Sequence, residues 1–220
     1  MEENRDEELW PATLLFTHFH LDHVLALPFW KRIGNKHSSL ELKADPARRP
    51  GWRSSLDKLF NPPFWPVPLE KLGARIEFND LPASAGGMDL YGARVSWCPL
   101  FHPQSCLAYK IETADHSVAI VTDHEHGDRE TDRRLLQFAE GVECLVYDAY
   151  FTPGELRKRR GWGHGSWEQA AGLAERAGVN KLVLTHHHYE RTDDQLDDLV
   201  GRARRRFPNT NAAREKMKLF

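Results

Sequence analysis

His18-Phe19-His20-Leu21-Asp22-His23 follows the apolar run ATLLFT at 12–17 with no residue between them. The apolar run reads as a buried strand and the His-rich segment as the turn behind it. On an extended chain, residues i and i+2 share one face, so His18 and His20 can point at one ion. Asp22 and His23 fall in the turn and can serve a neighbouring position. Zinc-like ions take neutral imidazole nitrogen and carboxylate oxygen at ~2.0–2.2 Å. A strand end is a rigid platform for presenting such groups.

The same placement recurs further along. His102 follows VSWCPLF, Asp123 ends SVAIVTD, and His186 follows KLVLT. Alone, His102 reads as a surface histidine and Asp123 as a turn residue ahead of a helix. Three more strands that each deliver one ligand type at the C-terminal end point to a metal centre.

Between these positions the texture alternates. A short helix is expected over Val24 to Ile33, a strand over Leu40 to Ala44, and a helix near Trp52–Phe60 within a proline-rich ordered loop at 46–69. ARIEFNDL, MDLYGARVSWCPLF, CLAYKIET and SVAIVTD read as an antiparallel meander. Thr131 to Glu140 has helical spacing, and CLVYDA at 144–149 is a buried strand. Ser166 caps a helix through Ala177. Thr192 caps a last helix, with Asp193–Asp194 at its start and Arg204–Arg206 at its end, as the helix dipole favours. The sum is a layered α/β fold in one domain over 1–220.

Composition narrows the function. Lys+Arg 30 against Asp+Glu 32 gives a net charge of -2, which excludes a protein that lives on non-specific phosphate attraction. No run approaches the ~18 apolar residues of a membrane span. The acidic opening MEENRDEELW excludes a signal or transit peptide, and the expected location is the cytoplasm. Cys98, Cys106 and Cys144 are too scattered for a disulfide framework or a Cys-type zinc site and read as buried small hydrophobes. The 12 histidines cluster instead of spreading evenly.

T-H-x-H-x-D-H after a strand, with single His, Asp and His at later strand ends, resembles the metallo-β-lactamase superfamily. The resemblance covers nearly the whole chain and implies an αββα sandwich with two metal ions at one edge. It implies that His18, His20 and His102 hold the first ion, that Asp22, His23 and His186 hold the second, and that Asp123 bridges them together with a water or hydroxide. THFHLDHVLALPFW, TDHEHG, LVYDAYFTP, GWGHGSWEQA and LVLTHHHYERTDDQL look like the bacterial-type branch that includes ribonuclease Z and the phosphodiesterases of phosphonate metabolism. That branch uses a His followed by Ser-Thr in catalysis. Here His164 is followed by Gly-Ser, and Asp148 stands where the branch carries an acidic residue beside that His.

The resemblance thus implies a metal-dependent phosphodiesterase, with Asp22 accepting a proton and His164 donating one to the leaving group. Its substrate is a small phosphodiester; nucleic acid is not favoured, because no Gly-rich or basic arm is evident. The mixed His/Asp donors suit two divalent ions, zinc foremost and manganese or iron compatible. No ligand is Cys, which disfavours β-lactam hydrolases with a Cys at the second metal. His20 stands where the redox diiron branch has Glu, which disfavours redox chemistry. The alternatives are a lactone, thioester or amide hydrolase of the superfamily and a non-catalytic metal-binding or interaction module.

Only 17 residues precede His18, fewer than such relatives have. The expectation is a first sheet short of its N-terminal strands. ATLLFT, apolar throughout, reads as a strand that needs a neighbour on each side, and its open edge would pair with a second chain in a homodimer. Arg157 to Arg160 reads as a solvated basic turn ahead of a phosphate-steering group, and Arg202 to Lys218 as a solvated helix end and tail. His124, His126, His187 and His188 read equally as pocket or loop residues, and His37 and His116 as surface. Aromatic residues at 60–65 read as core.

Overall fold

The computed structural model describes residues 11–47, 49–82 and 85–220. The acidic opening lies outside the described residues. The chain divides into two compact units, 1–83 and 84–220. Each contains one sheet with helices, and together they give the α/β metallo-β-lactamase class of fold. Among the described residues no helix is long and apolar enough to cross a membrane.

The first unit carries β1 (Ala12–Leu15), α1 (Leu21–Val24), β2 (Ser39–Ala44), α2 (Trp52–Leu59) and β3 (Arg75–Asp80). The strands lie in the order β1-β2-β3, all parallel, with Leu14 opposite Leu42 and Leu42 opposite Phe78. Leu40, Leu42 and Ala44 are buried at every second position of β2, the pleat of a strand packed on one face. Trp52 and Leu56, one helical turn apart on α2, are buried in the same cluster with Phe16, Leu42 and Phe60. Phe60 is fully buried and Trp65 packs against that cluster, while Phe64 is exposed, so the aromatic loop is chiefly core.

Three expectations change here. Among the described residues β1 stands at the open edge of a short first sheet, as expected, but its four residues are half-buried where the run reads as a buried strand. The helix read over Val24–Ile33 is instead α1 followed by a 3-10 turn at Leu27–Phe29, with Pro28 inside it. Proline has no N–H to continue an α-helical ladder. ARIEFNDL is not part of the meander, because β3 joins β2 in parallel after a long connection that contains α2.

The second unit carries β4 (Gly86–Leu90), β5 (Ala93–Leu100), β6 (Cys106–Glu112), β7 (Ser117–Val121), α3 (Arg129–Phe138), β8 (Cys144–Asp148), α4 (Pro153–Lys158), α5 (Trp167–Ala177), β9 (Lys181–Thr185), α6 (Asp193–Arg204) and β10 (Thr210–Ala212). The sheet order is β10-β9-β8-β7-β6-β5-β4. β4 to β7 form the expected antiparallel meander, and β7 to β10 are parallel. Helices α3, α5 and α6 lie on the crossovers that parallel neighbours require. β5 and β7 are both antiparallel to β6, so they run the same way as β8 and β9. The C-terminal ends of β5, β7, β8 and β9 therefore open on one edge of this sheet.

The central parallel strands β8 and β9 are apolar along most of their length. Leu145, Tyr147, Leu182 and Leu184 are fully buried, and so are Ala170, Ala171, Leu173 and Ala174 on α5. Alanines on that helix let it approach the sheet closely, and truncation of a leucine such as Leu145 costs about 2–5 kcal/mol. Ser166 and Gln169 form a capping box at the start of α5, and Gly178 ends it at φ 63°. Thr192 and Gln195 do the same for α6. All three cysteines are buried.

Candidate metal centre

In the first unit, the chain leaves β1 at Leu15 and turns through the histidine motif. His20 is the residue before α1, and the N–H of His23 donates to its carbonyl across 3.1 Å. This turn folds the motif back on itself. The His18 ring lies 4.6 Å from that of His20 and 4.3 Å from that of His23, centroid to centroid. Nδ1 of His18 is 3.2 Å from the Thr17 hydroxyl, a contact that fixes the ring. Asp22 Oδ2 lies 3.3 Å from Nε2 of His23. The i, i+2 geometry read from an extended chain is thus realised in a turn, with His18 buried and Asp22 largely exposed.

In the second unit, His102, Asp123, Asp148 and His186 all stand at the shared edge where β5, β7, β8 and β9 end. Asp123 is buried, and its Oδ1 faces three imidazoles: Nε2 of His102 at 3.9 Å, Nδ1 of His164 at 3.6 Å and Nε2 of His186 at 3.7 Å. These separations exceed a good hydrogen bond. The His102 and His186 separations match donors around an ion, since two atoms each held ~2.1 Å from one centre at a near-tetrahedral angle stand about 3.4 Å apart, and further at wider angles; Nδ1 of His164 is engaged by Asp148 instead. Nδ1 of His102 is 2.8 Å from the Gly163 carbonyl, which fixes its tautomer and makes Nε2 the nitrogen that could ligate an ion. The donor set therefore fits a divalent ion. Asp123 and His186 hold φ of 55° and 54°, left-handed conformations that a side chain disfavours.

His164 is held differently. Its Nδ1 is 3.0 Å from Oδ2 of Asp148, whose side chain is fully buried and whose Oδ1 accepts from the Tyr150 N–H at 2.8 Å. The Tyr150 ring stacks on His164 at 4.5 Å and 17°. Sequence reasoning passed over Tyr150, although it directly follows the LVYDA strand.

The neighbouring histidines make a separate network. His124 is fully buried; its Nδ1 accepts from the Phe101 N–H at 3.2 Å, so its Nε2 is the donor to Asp132 Oδ1 at 3.0 Å. His126 Nδ1 also meets Asp132 Oδ1, at 2.9 Å, and the Tyr147 hydroxyl meets His126 Nε2 at 2.8 Å. Burial pushes the His124 pKa down, against the hydrogen bond to Asp132. Burial would raise Asp132, but hydrogen bonds from His124 and His126 hold it well below the usual carboxylate range. Burial also raises Tyr147 far above the ordinary phenol value, so its hydroxyl stays a donor. These groups satisfy one another as internal scaffolding. Burial lowers His187, and His188 Nδ1 accepts from the Glu190 N–H at 3.2 Å. His37 is exposed, and His116 pairs with Glu143 at the surface.

The basic segments are mostly solvated or structural. Arg157 and Lys158 form the exposed last turn of α4, while Arg159 lies over the rings of Phe151 and Trp162 at 5.6 and 5.8 Å. Arg204 donates to the Thr210 carbonyl at 2.8 Å, and Arg206 pairs with Glu175.

Comparison with known proteins agrees with this architecture. The family described as beta-lactamase superfamily domain matches residues 2–187. Ribonuclease BN of Escherichia coli O81 (strain ED1a) is 34% identical over 160 residues, covering 67% of this chain and 52% of that protein. Ribonuclease BN of Escherichia coli O157:H7 gives the same identity and coverage. The chain thus spans about half the length of the curated relatives it matches. Among solved structures, the metallo-β-lactamase fold protein YhfI from Bacillus subtilis aligns at TM-score 0.67 and 20% identity, over 92% of this chain and 74% of that one. A diphosphatase from the PhnP family gives 0.65 at 17% identity over 93% and 69%. Human tRNase Z, short form, gives 0.62 at 16% over 80% and 73%. At these identities the structural likeness concerns the fold alone. By the family match and by its histidine and aspartate clusters, this chain belongs to the metallo-β-lactamase superfamily.

Proposed function

We propose that the chain is a metal-dependent phosphodiesterase acting on a small phosphodiester through two divalent ions, zinc foremost. The observation that carries this reading is the buried Asp123 carboxylate, with Oδ1 3.9 and 3.7 Å from Nε2 of His102 and His186. The assignment of His18, His20, Asp22 and His23 to the same two-ion centre comes from the sequence resemblance. When bound, two ions acidify the attacking water and offset charge on the phosphorus oxygens.

The protein's own residues supply proton transfer and orientation. Asp148 accepts from Nδ1–H of His164, so the proton available to a leaving group sits on Nε2. The carboxylate thereby fixes the tautomer and the orientation of the imidazole. Tyr150, stacked on the ring, limits its rotation. Asp22, largely exposed, is the proton acceptor in this scheme. Ribonuclease BN, a protein of phosphodiester chemistry by name, supports the reaction class.

The test is elemental analysis of reconstituted protein, followed by turnover of bis(p-nitrophenyl) phosphate, chromogenic lactones and a chromogenic β-lactam. About two ions per chain and preference for the phosphodiester are expected. A maximum of one ion overturns the two-ion centre, and preference for a lactone or β-lactam overturns the substrate class.

A further inference from the structure

Glu125 is a buried carboxylate two residues past Asp123. Its Oε1 and Oε2 accept from the backbone N–H of Gly161 at 2.8 and 2.9 Å, and Oε2 accepts from the N–H of Gly163 at 2.8 Å. Its own N–H donates to the Phe101 carbonyl at 2.9 Å. One residue therefore ties together the loop after β5, the loop after β7 and the segment ahead of α5. A carboxylate is costly to bury without donors, and these N–H groups are its donors.

The segment it grips controls two imidazoles. The carbonyl of Gly163 is the 2.8 Å partner of Nδ1 of His102, and Gly163 immediately precedes His164. Gly161 and Gly163 sit at φ of 86° and 83°, open to glycine and strained for other residues. A Cβ at Gly163 would stand 2.1 Å from Nδ1 of His102, so the backbone there lies directly against the ring. Moving the segment moves both histidines.

We propose that Glu125 is a positioning residue: through Gly161 and Gly163 it sets the ring orientation of His102 and the placement of His164. This rests on the reading of His102 as a metal ligand and of His164 as a proton donor. Glu125 itself touches neither ring. It acts on them through two backbone amides and one carbonyl.

The test is Glu125→Gln in the full chain. The carboxamide keeps the size but turns an NH2 group toward a backbone N–H that needs an acceptor. Faster deuterium exchange at the amides of Gly161 and Gly163 is expected. So is a roughly ten- to hundredfold loss of zinc affinity in chelator competition, with a comparable loss of kcat. On a His164→Ala background the kcat loss should shrink, because the two changes share a route. Unchanged exchange and zinc affinity overturn the proposal, as does a lower Tm with zinc affinity intact or an undiminished kcat loss on that background. If Glu125→Gln does not fold, Glu125→Asp, which keeps the charge and withdraws it by one methylene, is read by the same exchange and affinity measurements. A wild-type protein that binds zinc but cleaves no phosphodiester defeats the functional reading alone, since exchange and affinity still decide the role of Glu125.

Discussion

The imidazole of His164 and the carboxylate of Asp148 are joined Nδ1 to Oδ2 across 3.0 Å, with Asp148 fully buried at the end of β8. The strand core thus holds the carboxylate, and the carboxylate holds a ring on a glycine-flanked segment. A side chain on a loop acquires the rigidity of the sheet.

His164→Ala is expected to lower kcat by ~10²–10⁴-fold with metal content unchanged, the range for loss of a proton donor. Asp148→Asn should lower kcat in the wild type and add little on the His164→Ala background, because the two act as one pair. Elemental analysis beside steady-state kinetics checks this. If His164→Ala loses metal, the residue is a ligand and not an acid.

Asp123→Ala removes the carboxylate that faces the His102, His164 and His186 rings. Metal content measured after dialysis should fall below that of wild type, and activity should be lost even when excess zinc is supplied. Full retention of metal would show that Asp123 is not a ligand.

Stability should depend on pH through His124. Burial holds its pKa below the ordinary value in the folded chain, while the unfolded chain takes up a proton near pH ~6.5. Stability is therefore complete above that pH and declines as pH falls below it, because only the unfolded state gains the proton. Asp132, held well down by its histidine hydrogen bonds, adds a second decline below pH ~3.9. Melting of metal-stripped protein between pH 7 and 5 should show the first decline. His124→Gln, which can still donate to Asp132, should flatten it, and an unaltered slope would clear His124 of the effect.

Gly163→Ala combines a left-handed backbone with a Cβ 2.1 Å from Nδ1 of His102 and 2.4 Å from Cδ of Pro103. It should cost at least about 1 kcal/mol and weaken zinc binding as well. Gly161→Ala, also at positive φ but with open space around its Cβ, should lower Tm and leave zinc affinity closer to wild type. Equal zinc affinities in the two variants would count against direct pressure on His102.

The candidate metal residues stand out in the sequence because ligation needs rare side-chain types at strand ends. The run His18 to His23 and the isolated His102, Asp123 and His186 follow that logic, as do the Ser166 and Thr192 caps. Glu125 was not legible. Its partners are backbone amides 36 and 38 residues away, and a backbone amide leaves no mark in a sequence. β10 went unread for a similar reason: three residues become a strand only by pairing with β9. Helix α4 did carry a signal, the Thr152–Glu155 capping box with a proline at its start, but six residues and an internal glycine gave no periodicity. Val24–Ile33 is apolar enough for a helix, but Pro28 breaks the run into a 3-10 turn.

The left-handed backbones of Asp123 and His186 bear on any effort to toughen this protein. Each residue holds a conformation that glycine adopts more readily, at a cost of about 1 kcal/mol or more. A directed-evolution screen that scores heat tolerance alone will reward Asp123→Gly and His186→Gly. It will return sturdier chains whose candidate metal donors have been selected away. Libraries for thermal improvement should lock these two codons, and a computational redesign that ranks substitutions by backbone fit will err first at the same two places.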